Sequence, residues 1–297
     1  MKICVTGSSG RAGRAVVADL TEHGHQVVGT DLVPPPAGAD AGAGGAGAVP
    51  AAFVRADLTD YGQAVEVLKG VEAVVHLANI PAPGLRTPSV TFNHNMTMNF
   101  NVFHAAAETG LERVVWASSE TTLGLPFTVP PRYAPVDEDH YPVPTSTYAL
   151  SKVASEMVAA QVAGWSGIPF VALRFSNILG PADYPRFASF TGDPDTRKWN
   201  LWGYIDERDA ATACRLALSA DIAAVDGAHS ASFIIAAADT VMTMPSAELM
   251  RRVFPDVPLR GEIEGNATLL SIERARRVLG FEPRHSWRQH VPPGSAG

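Results

Sequence analysis

Tyr148 and Lys152, in the run Tyr148-Ala-Leu-Ser-Lys152, are the side chains of this sequence best placed to move a proton. On a helix, positions i and i+4 share one face, so the phenol and the ammonium point into the same space. A neighbouring cation favours the phenolate, which predicts a tyrosine pKa lowered toward the range a general base needs. The spacing alone is common on solvated helix faces. Ser118 and Ser119 raise its interest, because they close a predicted strand about thirty residues upstream. Ligands of open parallel sheets bind outside the carboxyl ends of the strands, so Ser119, Tyr148 and Lys152 are expected to meet in one crevice.

A second constellation, Gly7-x-x-Gly10-x-x-Gly13, lies between a β-branched run at 2–6 and a segment at 11–23 with helical apolar spacing. Glycines there permit positive φ and close approach of the backbone, and the helix start offers free N–H groups to a pyrophosphate. Gly7, Ser9, Gly10, Arg11, Ala12 and Gly13 are therefore candidate dinucleotide contacts. Asp31 ends the next predicted strand, 18 residues beyond Gly13, where a carboxylate accepts from both ribose hydroxyls and repels a 2′-phosphate. That favours NAD over NADP. Arg11 leaves the preference open, since a guanidinium in the turn can instead pair with a 2′-phosphate.

These residues need a sheet to position them. Strands are predicted at 2–6, 26–31, 52–57, 73–78, 113–119, 170–175 and 232–236, and helices at 11–23, 61–69, 93–109, 147–162, 209–219, 247–253 and 271–279. Apolar strands alternating with helices imply an α/β fold, a doubly wound parallel sheet of the Rossmann type covered on both faces. Residues 1–180 are read as the nucleotide-binding domain. Residues 181–297 are read as a small substrate cap that returns elements to the sheet and does not fold independently. Eleven of the twelve residues at 37–48 are Ala or Gly, too little side chain to pack, and 126–144 is Pro-rich; both are read as loops.

Composition narrows the class further. The 297 residues carry 23 Lys plus Arg against 30 Asp plus Glu, a net charge of -7 that argues against nucleic-acid binding. Two cysteines, Cys4 and Cys214, exclude a disulfide scaffold and read as buried thiols of a reduced, cytoplasmic protein. No apolar run suits a signal peptide or a membrane span. His76, His94, His104 and His140 lack metal-ligand spacing and are read as core or surface residues, with no metal site.

Eight motifs now stand in order: TGSSGRAG (6–13), ADLTD (56–60), HLAN (76–79), the asparagines Asn95 and Asn101, ASSETTLG (117–124), YALSK (148–152), LRFSNILGP (173–181) and YIDERDAA (204–211). On these the chain resembles an extended short-chain dehydrogenase/reductase of the NAD-dependent epimerase/dehydratase family over nearly its whole length. The resemblance implies that Tyr148 is the catalytic acid/base and that Lys152 tunes it and holds the nicotinamide ribose. It makes Ser119 the hydroxyl that bonds the reacting oxygen, with Ser118 structural. Asp57 and Leu58 would flank the adenine. Leu77, Ala78, Asn79, Asn95, Phe175 and Ser176 would also serve the cofactor, and Asn177 would face a small-molecule substrate. It further implies a homodimer formed by the helices from Asn95 and Thr147.

The departures concern the substrate. Dehydratases of the family carry an Asp-Glu pair after the catalytic hydroxyl, and here Glu120 and Thr121 leave one carboxylate. Leu123 replaces an aromatic, and Asp206 a histidine. Trp199, Trp202 and Tyr204 cluster beside Arg186, Arg197, Lys198 and Arg208. They form either an aromatic and cationic wall for a hydroxylated substrate or the packing that seals the cap. The expected activity is NAD-dependent interconversion of a secondary alcohol and a ketone on a sugar-like molecule. A nucleotide-sugar 4-epimerase that retains NAD is the alternative, and a non-catalytic cofactor sensor is disfavoured by the presence of both Tyr148 and Lys152.

Overall fold

The computed structural model describes residues 1–35, 52–127, 129–140, 143–225, 227 and 229–290. The Ala/Gly run at 37–48 lies outside the described residues. Nine strands are described: β1 (Lys2–Thr6), β2 (Gln26–Asp31), β3 (Ala52–Arg55), β4 (Ala73–His76), β5 (Arg113–Ser119), β6 (Phe170–Phe175), β7 (Ile178–Leu179), β8 (Ile205–Asp206) and β9 (Ser230–Ile235). Seven of them form one sheet in the order β3-β2-β1-β4-β5-β6-β9, every neighbouring pair parallel. The order reverses between β1 and β4, which opens a crevice at their carboxyl ends, the place where such sheets take ligands. The two short strands β7 and β8 pair separately.

Seven α-helices are described: α1 (Arg11–Glu22), α2 (Tyr61–Leu68), α3 (Pro88–Thr109), α4 (Thr147–Ser166) and α5 (Glu207–Ser219) between strands, and α6 (Ser246–Val253) and α7 (Glu273–Leu279) after β9. Successive strand residues face opposite sides, so each strand feeds two cores. On one side Ile3, Val5 and Leu173 pack with Val16 and Leu20 of α1 and with Ala213 and Ala217 of α5. On the other, Cys4, Val74 and Trp116 pack with Phe103 of α3 and Val162 of α4. Rings of Phe103, Trp116 and Phe170 meet edge-on at 5.2 and 5.3 Å. The continuously apolar strands follow from this double burial.

The third core lies mainly beyond residue 180. Tyr184, Trp202, Tyr204, Met250 and Trp287 pack with Leu123, Leu125 and Val136 from the long β5–α4 connection. The Pro-rich 126–144 stretch, read as loop, also contains a 3-10 turn at Glu138–His140. Helix ends follow local chemistry. Pro88 opens α3, and Gly110 and Gly167 close α3 and α4 at φ 71° and 74°, where a side chain is disfavoured. No described helix is long and apolar enough to cross a membrane.

Candidate active site

The loops at the carboxyl ends of the strands enclose a cleft of about 1140 Å³. Its first wall is the glycine turn. Gly7 has φ +67°, and a Cβ there would stand 2.7 Å from the Ala78 nitrogen. A Cβ on Gly13 would meet the Gly7 carbonyl at 2.1 Å, so the backbone comes closer than any side chain permits. Gly10 caps α1 without a side-chain hydrogen bond, leaving the first-turn N–H groups uncapped toward the cleft. That arrangement suits an anion, and the residues present fit a dinucleotide diphosphate.

Asp31 closes β2 on the same wall. Its Oδ2 accepts from the Ser9 N–H at 3.1 Å and its Oδ1 from the Leu32 N–H at 2.7 Å. Ser9 Oγ donates to the Val33 carbonyl, so that side chain turns from the cleft. Arg11, the expected complication, is engaged: its guanidinium pairs with Asp183 and stands 4.0 Å from Glu207. Asp57 Oδ1 accepts from the Thr59 N–H and hydroxyl at 2.9 and 2.7 Å, and Asp57 and Leu58 line the cleft beyond Asp31.

A buried polar chain ties this wall to the far one. Thr6 Oγ1 accepts from the Leu77 and Ala78 N–H groups at 3.1 and 3.2 Å, which leaves its proton for His76 Nδ1 at 2.7 Å. His76 Nε2–H then donates to Asn99 Oδ1 at 2.9 Å, and Asn99 Nδ2 donates to Ser155 of α4 at 2.7 Å. Burial pushes His76 down to about 3, so the ring is neutral. Asn95 does not line the cleft as expected. It is fully buried, accepts from the Ile80 N–H at 2.8 Å and donates to the Ile80 carbonyl at 3.2 Å, clamping the loop after β4.

The far wall holds the predicted acid/base group. Ser146 caps α4 by accepting from the Ala149 N–H at 3.1 Å, which fixes the turn carrying Tyr148 and, one turn on, Lys152. Ser119, Tyr148 and Lys152 all line the cleft together with Ala117. Ser119 Oγ accepts from the Thr121 N–H at 3.2 Å, and its hydroxyl faces the Tyr148 phenol. Lys152 Nζ donates to the Ala117 carbonyl at 2.7 Å and sits 5.7 Å from the centre of the Tyr148 ring. Ser118 instead donates to Glu156 at 2.5 Å, and Glu156 also holds Arg174 through two hydrogen bonds.

The expected lowering of the tyrosine pKa is not found. Burial pushes Tyr148 up to about 12, the Ser119 hydrogen bond opposing it, and burial drives Lys152 down to about 7. The low-dielectric pocket penalises the charged forms of both groups, and the buried Glu120 carboxyl near the phenol adds to its rise.

The substrate side departs most from expectation. Trp199 lines the cleft, 36% exposed, but Trp202 and Tyr204 are fully buried and do not. Trp202 Nε1 donates to the Pro194 carbonyl at 3.0 Å and Tyr204 to Asp239 at 2.7 Å, so both seal the third core. Of the neighbouring cations, Arg186, Lys198 and Arg208 pair with Asp183, Asp195 and Asp206, and Arg197 donates one N–H to the Gly203 carbonyl. Arg186, Lys198, Arg208 and Arg197 do not line the cleft. Asn177, Phe175 and Ser176 do, as do Leu77, Ala78 and Asn79. Sequence reading missed Glu120, Arg86 and the α3 face of Val90, His94 and Met98, all of which line it. The i, i+4, i+8 spacing of that face was its one available signal.

Comparison with known proteins completes the assignment. The family model for the NAD dependent epimerase/dehydratase family matches residues 3–193. The chain belongs to that family. Its members are NAD-dependent enzymes of the extended short-chain dehydrogenase/reductase type. The chain is 27% identical to a UDP-glucose 4-epimerase of Corynebacterium glutamicum, over 96% of this chain and 92% of that one. Among solved structures it resembles MoeE5 in complex with UDP-glucose and NAD, with a TM-score of 0.68 and 25% identity, over 98% of this chain and 96% of that one. A UDP-glucose 4-epimerase from Thermotoga maritima shares the fold with a TM-score of 0.70 at 21% identity, over 98% and 96% of the two chains.

Proposed function

We propose that this protein interconverts a secondary alcohol and a ketone on a sugar or sugar-like small molecule, using NAD held on the Gly7–Gly13 turn. The observation that carries the reading is the shared cleft, which brings Ser119, Tyr148 and Lys152 to one end and the uncapped α1 terminus to the other. A bound nicotinamide dinucleotide would accept or return hydride there. Tyr148 Oη exchanges a proton with the reacting hydroxyl, the positive nicotinamide of a bound dinucleotide being the charge that would offset the burial holding the phenol protonated, and Ser119 Oγ holds that oxygen in line. Lys152, whose ammonium burial lowers to about 7, places Nζ beside the phenol ring and would bond the cofactor ribose. The buried floor excludes water from the developing charge.

NAD is preferred because Asp31 presents a carboxylate where a 2′-phosphate would lie, and Arg11 is already paired with Asp183. Asp31→Ser is expected to raise the ratio of NADP to NAD affinity by at least ~10-fold, from the loss of one charge repulsion near the surface. Fluorescence titration with both dinucleotides measures it, and an unchanged ratio removes Asp31 from the discrimination.

A second reading, a nucleotide-sugar 4-epimerase that keeps its NAD, is favoured by the UDP-glucose 4-epimerases aligned over nearly the whole chain. The protein is offered UDP-glucose, D-galactose and D-galacturonate with excess NAD while absorbance at 340 nm is followed. Accumulating NADH supports the dehydrogenase, and epimerised product without it supports the epimerase. Neither change with any sugar contradicts the proposal. A dehydratase is disfavoured because Glu120 stands without a second carboxylate at Thr121.

The same reading divides the chain into a nucleotide-binding part, 1–180, and a substrate cap, 181–297, the cap supplying β9 to the sheet edge. It pairs α3 and α4 with a second copy, supported by the exposed Phe100, Leu150, Met157 and Trp165 on those helices. It also keeps the cytoplasmic location, supported by two buried free thiols, Cys4 and Cys214.

A further inference from the structure

Next to Ser119 a buried carboxyl stands among polar atoms that lack partners. Glu120 lines the cleft and is 3% exposed. Its Oε1 makes only a long contact, 3.4 Å from Asn200 Nδ2, and its Oε2 makes none. Ser176 and Asn200 flank the carboxyl, and Arg197 is its neighbouring cation. Ser176 Oγ, Asn200 Oδ1 and Arg197 Nε are likewise buried without a hydrogen-bond partner. Native interiors leave few such atoms, because each carries an uncompensated desolvation cost. Three of them around one carboxyl, itself with an unpartnered oxygen, call for a polar group from outside the chain.

The segment that closes this nest is strained. Arg197, Leu201 and Trp202 adopt φ values of 62°, 53° and 57°, a region that side chains avoid. Gly203 completes it. A Cβ there would stand 2.7 Å from Leu270 Cδ1 and 3.0 Å from Ser176 Oγ, and the Gly203 carbonyl accepts from both Asn200 and Arg197 at 2.9 Å. Strain of this kind persists where the surroundings over-determine it, characteristically at ligand sites.

We propose that Glu120, held by Asn200, Ser176 and Arg197, receives a second substrate hydroxyl on the carbon next to the one engaged by Ser119 and Tyr148. The site then selects molecules with adjacent hydroxyls over isolated secondary alcohols. This rests on the function proposed above and deepens it by naming the group that reads the hydroxyl beside the reacting one. The chemistry matches: on the cleft wall the Glu120 carboxyl accepts and Ser176 Oγ both accepts and donates, which satisfies a hydroxyl as donor and acceptor, while Asn200 and Arg197 stand behind the carboxyl, outside the cleft lining. Burial also pushes Glu120 up to about 7, so near neutral pH the carboxyl exists in both an accepting and a donating form.

The test uses the NAD-loaded protein with UDP-glucose, D-galactose and D-galacturonate. Each sugar that is turned over is compared with its analogue deoxygenated beside the reacting carbon. Wild type is expected to lose about 100-fold in kcat/KM on the deoxy analogue, as a site built for a hydroxyl rejects its absence. Glu120→Ala is expected to lose about as much on the parent sugar, and to treat parent and analogue alike within about threefold. Glu120→Gln, which preserves volume, should show the same loss of discrimination to a smaller degree, with NAD affinity unchanged in both variants. An equal loss on parent and analogue, or no loss, overturns this proposal while the oxidoreductase reading stands. No turnover of any of the three sugars overturns both.

Discussion

Tyr148→Phe is expected to leave NAD affinity within about twofold of wild type and to lower turnover by roughly a thousandfold, the scale of a lost positioned acid/base. The ring is buried against the cleft floor and only the hydroxyl disappears, so packing is preserved. Steady-state kinetics on whichever sugar is turned over, with a parallel NAD titration, separates the two effects. Turnover within tenfold of wild type would remove the phenol from the chemistry. The result also bears on a cofactor-sensing protein without catalysis, for which the substitution changes neither quantity.

Gly13→Ala carries the second large effect, through sterics. The added Cβ falls 2.1 Å from the Gly7 carbonyl and 2.7 Å from Ser8 Cα, both backbone atoms that move only if the turn is rebuilt. NAD affinity is expected to fall at least about 100-fold, and stability by about 2–3 kcal/mol, the range of a forced overpacking. Gly10→Ala is the control, because its Cβ meets only the Gly7 carbonyl, at 3.3 Å. It should fall well short of Gly13→Ala in both thermal unfolding and NAD titration. Equal effects from the two substitutions would mean that the turn is not held by the Gly13 contact.

The fold was legible where burial on both sheet faces forces a repeating pattern. β1, β2, β5 and β6 match their predicted bounds, since apolar runs framed by helix signals leave little freedom. β3 and β4 are shorter than predicted, because 56–57 and 77–78 carry apolar or turn residues into the cleft loops. α3 begins at Pro88, five residues before its predicted start. Thr91, Asn95, Asn99 and Asn101 are buried polar residues that hide its inward face from a hydrophobic pattern.

The site was legible wherever backbone geometry dictates residue type. Glycines that a Cβ would block and a carboxylate at the end of β2 are visible in one dimension. The substrate side was not, because whether an aromatic residue seals a core or faces a ligand depends on the strained turn around Arg197. Trp199, Trp202 and Tyr204 are alike in sequence, and only Trp199 reaches the cleft. Glu120 escaped notice as a ligand group for the same reason: its unsatisfied neighbours Asn200 and Ser176 come from distant segments. The tyrosine pKa failed differently, since spacing shows the neighbouring lysine and conceals the burial that raises the one group and lowers the other.

The most direct measurement is a crystal structure of the protein grown with NAD. The account predicts the diphosphate on the N–H groups that follow Gly10, the nicotinamide ring beside the Tyr148 hydroxyl, and Lys152 Nζ within hydrogen-bonding distance of the attached ribose. A dinucleotide bound elsewhere, or a Lys152 that stays on the Ala117 carbonyl beyond reach of that ribose, would contradict it.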